Sequence, residues 1–182
     1  MATKTISKSG ITCSRSPKTG WFTLGKSSGG TNQTAQITFP ALGIAGSIKS
    51  VKLYIPWDND AADEGFSLTG PMVQTANGVS HNFSMSGMGG PTSTAIVDIT
   101  SGGWSNASPF VVDLRGQSNA PFASSKGCSQ NVYITAEYEP GTVRYAADGM
   151  WKQCQVFYGV NGGWQQVQPN YAADGQWKTL GG

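Results

Sequence analysis

The chain is poor in the residue types that carry out most protein chemistry. Its 182 residues include one histidine, three cysteines and ten carboxylates, and only 12% of them are charged. One histidine cannot supply a multi-histidine metal site. An odd number of widely spaced cysteines argues against a disulfide framework or a zinc knuckle. These shortages predict a protein that is not an enzyme and that carries no cofactor.

Inspection of the few reactive residues leads to the same expectation. His81 lies in a polar Gly/Asn/Ser stretch, and the chain has neither a G-x-S-x-G elbow nor a phosphate-binding glycine loop followed by a helix. Glu137 and Glu139 alternate with Tyr138, so they share one face of a strand. We expect them to form a solvated edge rather than a catalytic pair across a cleft.

Long apolar runs and basic clusters are also missing. The net charge is only +2 and the Lys and Arg residues are scattered, which argues against nucleic-acid binding. No apolar run approaches the length of a membrane span, so we expect no membrane insertion. The N-terminal residues are polar and lack the apolar region of a signal peptide, which predicts synthesis in the cytoplasm.

One acidic cluster is a weak candidate for a metal site. Asp58, Asp60, Asp63 and Glu64 offer carboxylate oxygens, which Ca²⁺ prefers. Their spacing does not match a calcium-binding EF-hand loop. The alternative interpretation is an exposed, solvated loop without metal.

What the chain does contain is glycine, small polar residues and short alternating apolar segments. It has 25 glycines, and strong helix formers are scarce. This composition is typical of an all-β sandwich or barrel. Alternation and turn residues predict strands at 21–24, 35–39, 48–55, 66–68, 82–85, 95–99, 110–114 and 132–139. Pro56 is expected to end the strand at 48–55, and 1–34 and 115–130 are read largely as connections.

The strand spacing predicts a jelly-roll-like two-sheet sandwich over residues 1–140. Pro140-Gly141 then marks a domain boundary, because this pair interrupts regular secondary structure. Residues 141–182 are predicted to form a second, smaller domain.

The second domain contains a threefold repeat. The motif Tyr-x-x-Asx-Gly-x-Trp recurs at intervals of 13 residues. Its aromatic members are Tyr145, Trp151, Tyr158, Trp164, Tyr171 and Trp177. Asx-Gly between β-favouring residues is a strong hairpin signal. We expect an antiparallel meander of about four strands, in which Tyr and Trp face each other across loops slightly longer than two residues.

Two roles are open for these six aromatic residues. They can form the core of the meander, or they can form a platform that binds a docking partner or a glycan. Because a small meander is marginally stable alone, we expect it to pack on another protein or on further copies of the chain.

Two resemblances to known families add to this interpretation. The sequence Ile48-Lys-Ser-Val51-Lys-Leu53-Tyr-Ile, the segment Val97-Asp-Ile-Thr and the closing stretch Val132-Tyr-Ile-Thr-Ala-Glu-Tyr resemble DNRLRE-type jelly-roll modules. The resemblance covers roughly residues 35–139. It implies a binding or structural protein of a cell or virion surface.

The repeats resemble the C-terminal tails of phage minor tail proteins and other phage virion proteins. Asp148-Gly-Met-Trp151-Lys and Asp174-Gly-Gln-Trp177-Lys carry the Gly-x-Trp-Lys pattern, whereas the middle repeat has Gln165 in place of lysine. This resemblance implies a structural virion protein. The expected role is a minor tail or tail-tip protein that also adheres to the host surface. A capsid decoration or head-fibre protein and a carbohydrate-binding module are the alternatives. Other virion proteins, symmetric copies of the chain and cell-surface glycans are the expected partners.

Overall fold

The computed structural model describes residues 1–26, 30–58, 71–85, 93–117 and 124–141, together with the backbone of six further strands within 143–179. These residues are all-β: they form seventeen strands and no helix. Accordingly, none of them belongs to a helix that could cross a membrane.

The first eleven strands form one sheet, and the pairs of known register are all antiparallel. These strands are β1 Ala2–Ser7, β2 Gly10–Cys13, β3 Trp21–Lys26, β4 Asn32–Phe39, β5 Gly46–Asp58, β6 Pro71–Ala76, β7 Val79–Ser84, β8 Ser93–Asp98, β9 Phe110–Gly116, β10 Ser124–Ser129 and β11 Tyr133–Pro140. Their order is β1-β11-β5-β10-β3-β4-β9-β6-β7, and β2 and β8 pair with β4 and β5 respectively.

Alternation explains why β4 and β5 each have one buried face. In β5, Val51, Leu53, Ile55 and Trp57 are buried, whereas the residues between them are partly exposed. β4 shows the same period of two, with Ile37 and Phe39 fully buried. Each strand therefore buries one face and leaves the other in contact with solvent.

The chain divides into two compact units. The larger unit comprises Lys4–Leu42 and Ser50–Ala136, and the smaller one comprises Met1–Thr3, Gly43–Lys49 and Glu137–Gly182. The core of the larger unit is aliphatic and aromatic. Its fully buried members include Phe22, Leu24, Ile37, Phe39, Leu53, Ile55, Met72 and Leu114.

Several predicted strands are confirmed, with changed ends. The strand predicted at 48–55 continues to Asp58, so the expectation that Pro56 ends it is wrong. Pro56 lies opposite Thr94 inside the β5–β8 ladder, and the pairs on either side of it hold the two strands together. A proline removes only one backbone donor, which these neighbouring pairs tolerate. The strand predicted at 66–68 lies outside the described residues.

Four strands were not predicted. β1 and β2 fall in a stretch read as mostly irregular, β6 was not identified, and β10 falls in a predicted connection. β10 has the sequence Ser-Ser-Lys-Gly-Cys-Ser, yet it lies between β3 and β5 with residues 125–128 buried. Tertiary pairing overrides its weak intrinsic preference for strand.

The repeats form three separate hairpins rather than one four-stranded meander. Their strands are β12 Val143–Ala147, β13 Met150–Cys154, β14 Val156–Val160, β15 Gly163–Val167, β16 Asn170–Ala173 and β17 Gln176–Thr179. Each pairs only within its own hairpin among the described strands. Pairing across a two-residue loop closes the smallest loop, so the local ladder has the lower entropic cost.

Candidate binding surfaces

Tyr54, Tyr133 and Ile96 lie next to one another across β11, β5 and β8, and we call them the tyrosine face. Leu53 and Ile55 point into the core, so alternation places Tyr54 on the opposite side of β5. The Tyr54 ring stacks on that of Tyr133, with centroids 4.8 Å apart and planes at 5°. Ile96 is the register partner of Tyr54 and is 56% exposed. This patch therefore presents apolar surface to water.

A groove of about 520 Å³ adjoins the tyrosine face where β1 lies beside β11, and we call it the β1 groove. Because Ile6 is buried, alternation leaves its neighbours on β1 exposed. The polar and aromatic residues that line it include Thr5, Ser7, Lys8, Gln130, Asn131 and Tyr133, with Pro56 among its apolar members. The groove thus combines one aromatic ring with hydroxyl, amide and ammonium groups.

Two oppositely charged residues face each other two positions further along the β5–β8 ladder. Asp98 is the register partner of Lys52, and an Asp98 carboxylate oxygen accepts a 2.9 Å hydrogen bond from the Thr100 backbone amide. Hydrogen bonds from the Thr100 side chain and backbone lower the pKa of Asp98, and the charge of Lys52 adds to the effect. Asp98 therefore stays ionised at neutral pH.

A second groove of about 520 Å³ crosses β2, β4 and β9, and its lining residues include no aromatic. Thr12, Gln36 and Asp113 lie opposite one another across these strands. The Gln36 amide donates a 2.9 Å hydrogen bond to the Asp113 carboxylate, so one carboxylate oxygen already has a partner. Arg115 supplies a cation nearby. The groove mixes these polar groups with Ala35 and Leu114, and its described lining offers no ring against which a ligand can stack.

The central strand β10 carries a buried lysine. Lys126 is fully buried, and its ammonium lies 4.4 Å from the centre of the Trp57 ring. Burial lowers the pKa of Lys126 because the charged form loses its hydration. Burial also raises the pKa of the Cys128 thiol, and the charge of Lys126 offsets part of that rise. Cys128 is therefore a neutral thiol inside the core.

The sequence-predicted aromatic residues Tyr145, Trp151, Tyr158, Trp164, Tyr171 and Trp177 all lie on hairpin strands, where the structure describes the backbone alone. The expected Tyr–Trp cross-strand pairs are wrong. Tyr145 lies opposite Lys152, and Trp151 lies opposite Ala146. The ladder continues to Ala147 and Met150, which leaves a two-residue loop. The predicted facing pair requires a loop of three.

The other two hairpins have the same register. Trp164 lies opposite Gly159, and Trp177 lies opposite Ala172. Every tryptophan of the repeat is therefore paired with a small residue, and every tyrosine with a lysine or a glutamine. Directly opposite residues share a face, so tyrosine and tryptophan occupy positions on opposite faces of each hairpin.

Of the weak metal candidates, Asp58 ends β5, whereas Asp60, Asp63 and Glu64 lie outside the described residues. In the part of the chain that the structure does describe, no three metal-ligating side chains come together. The Nε2 atom of His81 lies 3.2 Å from the Gly102 carbonyl oxygen. Glu139 forms an ion pair of 3.0 Å with Lys49 in the smaller unit.

The tyrosine face and the β1 groove were missed by sequence reasoning. Alternation already placed Tyr54 and Tyr133 away from the buried faces of their own strands. What the sequence did not signal is that β5 and β11 are neighbours, and that residues 2–7 form a strand beside them.

No protein-family model matches this chain, and a search of curated protein sequences finds no significant match.

Proposed function

We propose that the chain is a non-enzymatic structural protein of a phage virion, a minor tail or tail-tip component that also contacts the host surface. Residues 141–182 dock it onto other virion proteins or onto further copies of the chain. Residues 1–140 form a jelly-roll-like sandwich that presents a binding surface. The alternative role, a capsid decoration or head-fibre protein, relies on the same docking by residues 141–182.

The observation that carries this proposal is the common register of the three hairpins. It sets Trp151, Trp164 and Trp177 at equivalent positions, each opposite glycine or alanine. Tryptophan is enriched where one surface docks on another. Three equivalent positions in succession suit a partner that is itself repeated.

The stability of isolated hairpins supports docking as well. A two-stranded hairpin with no further support is marginally stable in water. Each sheet that the structure describes in the repeat region has two strands. A surface that covers the tryptophan positions adds about 1.5–3 kcal/mol for each large side chain it removes from water. A multi-copy assembly supplies such a surface many times.

The pairing pattern supports the sandwich. β2, β4, β9, β6 and β7 pair with one another, as do β3, β10, β5 and β8. The two groups join where Gly25 and Lys26 pair with Gln33 and Asn32. A chain that crosses between two groups of strands at a hairpin end is a common way to build a double-layered fold.

Particle incorporation tests the docking role. The full-length chain carrying Trp164→Ala and Trp177→Ala is compared with Gln165→Ala and Lys178→Ala, which change the next position of the same two strands. We expect the tryptophan variants to be lost from purified particles, measured by quantitative mass spectrometry, and the controls to be retained. The thermal unfolding of both should match that of the wild type. Equal incorporation of all variants refutes the docking role.

A further inference from the structure

We propose that the β1 groove binds a short oligosaccharide of pyranose rings, with the ring of Tyr133 as its stacking surface. This inference names the ligand class and the site for the host-surface adhesion in the proposed function, and it rests on that function. The site lies on the sheet and is distinct from the tryptophan positions of the hairpins.

The first argument is the state of the aromatic ring. Tyr54 covers one side of Tyr133 by close parallel stacking, and Tyr133 also lines the groove. The stacked partner holds the Tyr133 ring in one orientation, so little side-chain entropy is lost when a ligand binds. The C–H bonds on one face of a pyranose ring match the negative face of such an aromatic ring.

The second argument is the set of polar groups around that ring. Thr5 and Ser7 bring hydroxyls, Asn131 brings an amide, and all three residues are exposed. An amide both donates and accepts, and a hydroxyl does the same. Vicinal hydroxyls of a sugar need this combination of donors and acceptors. A volume of about 520 Å³ falls within the usual range for small-ligand sites.

The third argument concerns ligands of other kinds. A phosphate-rich ligand calls for several cations, and among the described residues that line the groove only Lys8 is one. An apolar ligand calls for a lining dominated by hydrophobic side chains, whereas hydroxyl and amide groups share this groove with Pro56, Val132 and Tyr133. A saccharide uses both parts of the lining at once.

Binding is tested on the full-length chain by NMR titration with lactose, cellobiose, maltose and N,N′-diacetylchitobiose. We expect at least one of them to bind with millimolar affinity and to shift the amide signals of Ser7, Asn131 and Tyr133. Tyr133→Ala should weaken that affinity at least tenfold, and Tyr133→Phe should retain it. Tyr138→Ala is the matched control, since Tyr138 lies on the same strand outside the groove.

Asn131→Ala keeps the test valid if Tyr133→Ala does not fold. Asn131 is exposed, so its side chain can be removed without opening the core. Loss of one hydrogen bond should weaken binding about threefold to tenfold. The inference is overturned if no disaccharide shifts the groove signals, if the shifts map to residues 143–179, or if both variants bind like the wild type.

The two proposals fail separately. Absent or misplaced saccharide binding overturns the groove assignment and leaves the docking role intact. Undiminished particle incorporation of the Trp164→Ala and Trp177→Ala chain overturns the docking role, whatever the groove binds.

Discussion

Gly116→Ala tests the tightest approach between strands in the larger unit. Gly116 ends β9 and has backbone atoms of β3 directly beside it. A Cβ at this position overlaps the Gly25 amide nitrogen, and it comes within 2.8 Å of the Leu24 carbonyl carbon. Backbone atoms cannot rotate away as a side-chain end can. The methyl group is accommodated only if β3 and β9 separate.

The size of the effect follows from what that separation disrupts. Overpacking a rigid site costs about 1–3 kcal/mol. Moving β3 also strains its two pairs with β4, Gly25 with Gln33 and Lys26 with Asn32. Each hydrogen bond lost there lowers the free energy of unfolding by about 0.5–1.5 kcal/mol more. We therefore expect Gly116→Ala to reduce the free energy of unfolding by about 2–6 kcal/mol.

Gly10→Ala is the matched control. Gly10 is also a strand glycine in this sheet, but the nearest atom to its added Cβ is Thr38 Cβ, at an ordinary 3.8 Å. Such a substitution is expected to be neutral or to stabilise by about 0.4–1 kcal/mol, through a less flexible unfolded chain.

Guanidinium unfolding, followed by far-UV circular dichroism, gives both free energies. The comparison is valid if the denaturant dependence is the same for the two variants. If Gly116→Ala unfolds within about 1 kcal/mol of Gly10→Ala, the strands do not approach as described and the reasoning is wrong.

Three further predictions concern the core and the charged residues. For Lys126→Met, the wild type should gain stability relative to the variant as pH rises toward 10.5. The lowered pKa means that the unfolded chain binds more protons there, and unfolding curves from pH 7 to 10.5 check it. For Asp98→Asn, the wild type should lose more stability than the variant as pH falls below 3.8, because folding lowers this pKa. Acid unfolding monitored by tyrosine fluorescence measures the difference, and parallel curves contradict it. Phe39→Ala removes a fully buried ring that stacks on its cross-strand phenylalanine, and should cost about 3–5 kcal/mol in thermal or chemical unfolding.

Strands with clean alternation were predictable from the sequence. In β9, in β11 and in β5 from Val51 onward, every second residue is apolar, and a strand is the structure in which such residues share a face. The all-β class followed from these segments together with the abundance of glycine and the lack of helical periodicity. None of this required knowledge of which strands are neighbours.

Strands without alternation were not predictable in the same way. β10 reads as a polar connection, and only its place between β3 and β5 makes it a buried strand. β1 is polar at every second position and contributes a single buried side chain, Ile6. Their backbone hydrogen bonds to neighbouring strands place them in the sheet, and side-chain alternation does not reveal those bonds.

The hairpin repeats were only partly predictable from the sequence. The Asx-Gly pairs indicated a hairpin in each repeat, and paired antiparallel strands flank each of them. The prediction assumed a longer loop, and one residue of loop length changes every cross-strand partner. Tyr145 and Trp151 are therefore not partners, although the spacing within the repeat is regular.

The order of residues in this chain was enough to predict an all-β protein with a hairpin in each repeat, since both depend on interactions between close neighbours. The tertiary structure alone decided that Tyr54 stacks on Tyr133 and that β1 forms a groove beside them. Those features arise where strands distant in sequence meet. Which strands meet depends on how all of them together bury their apolar faces.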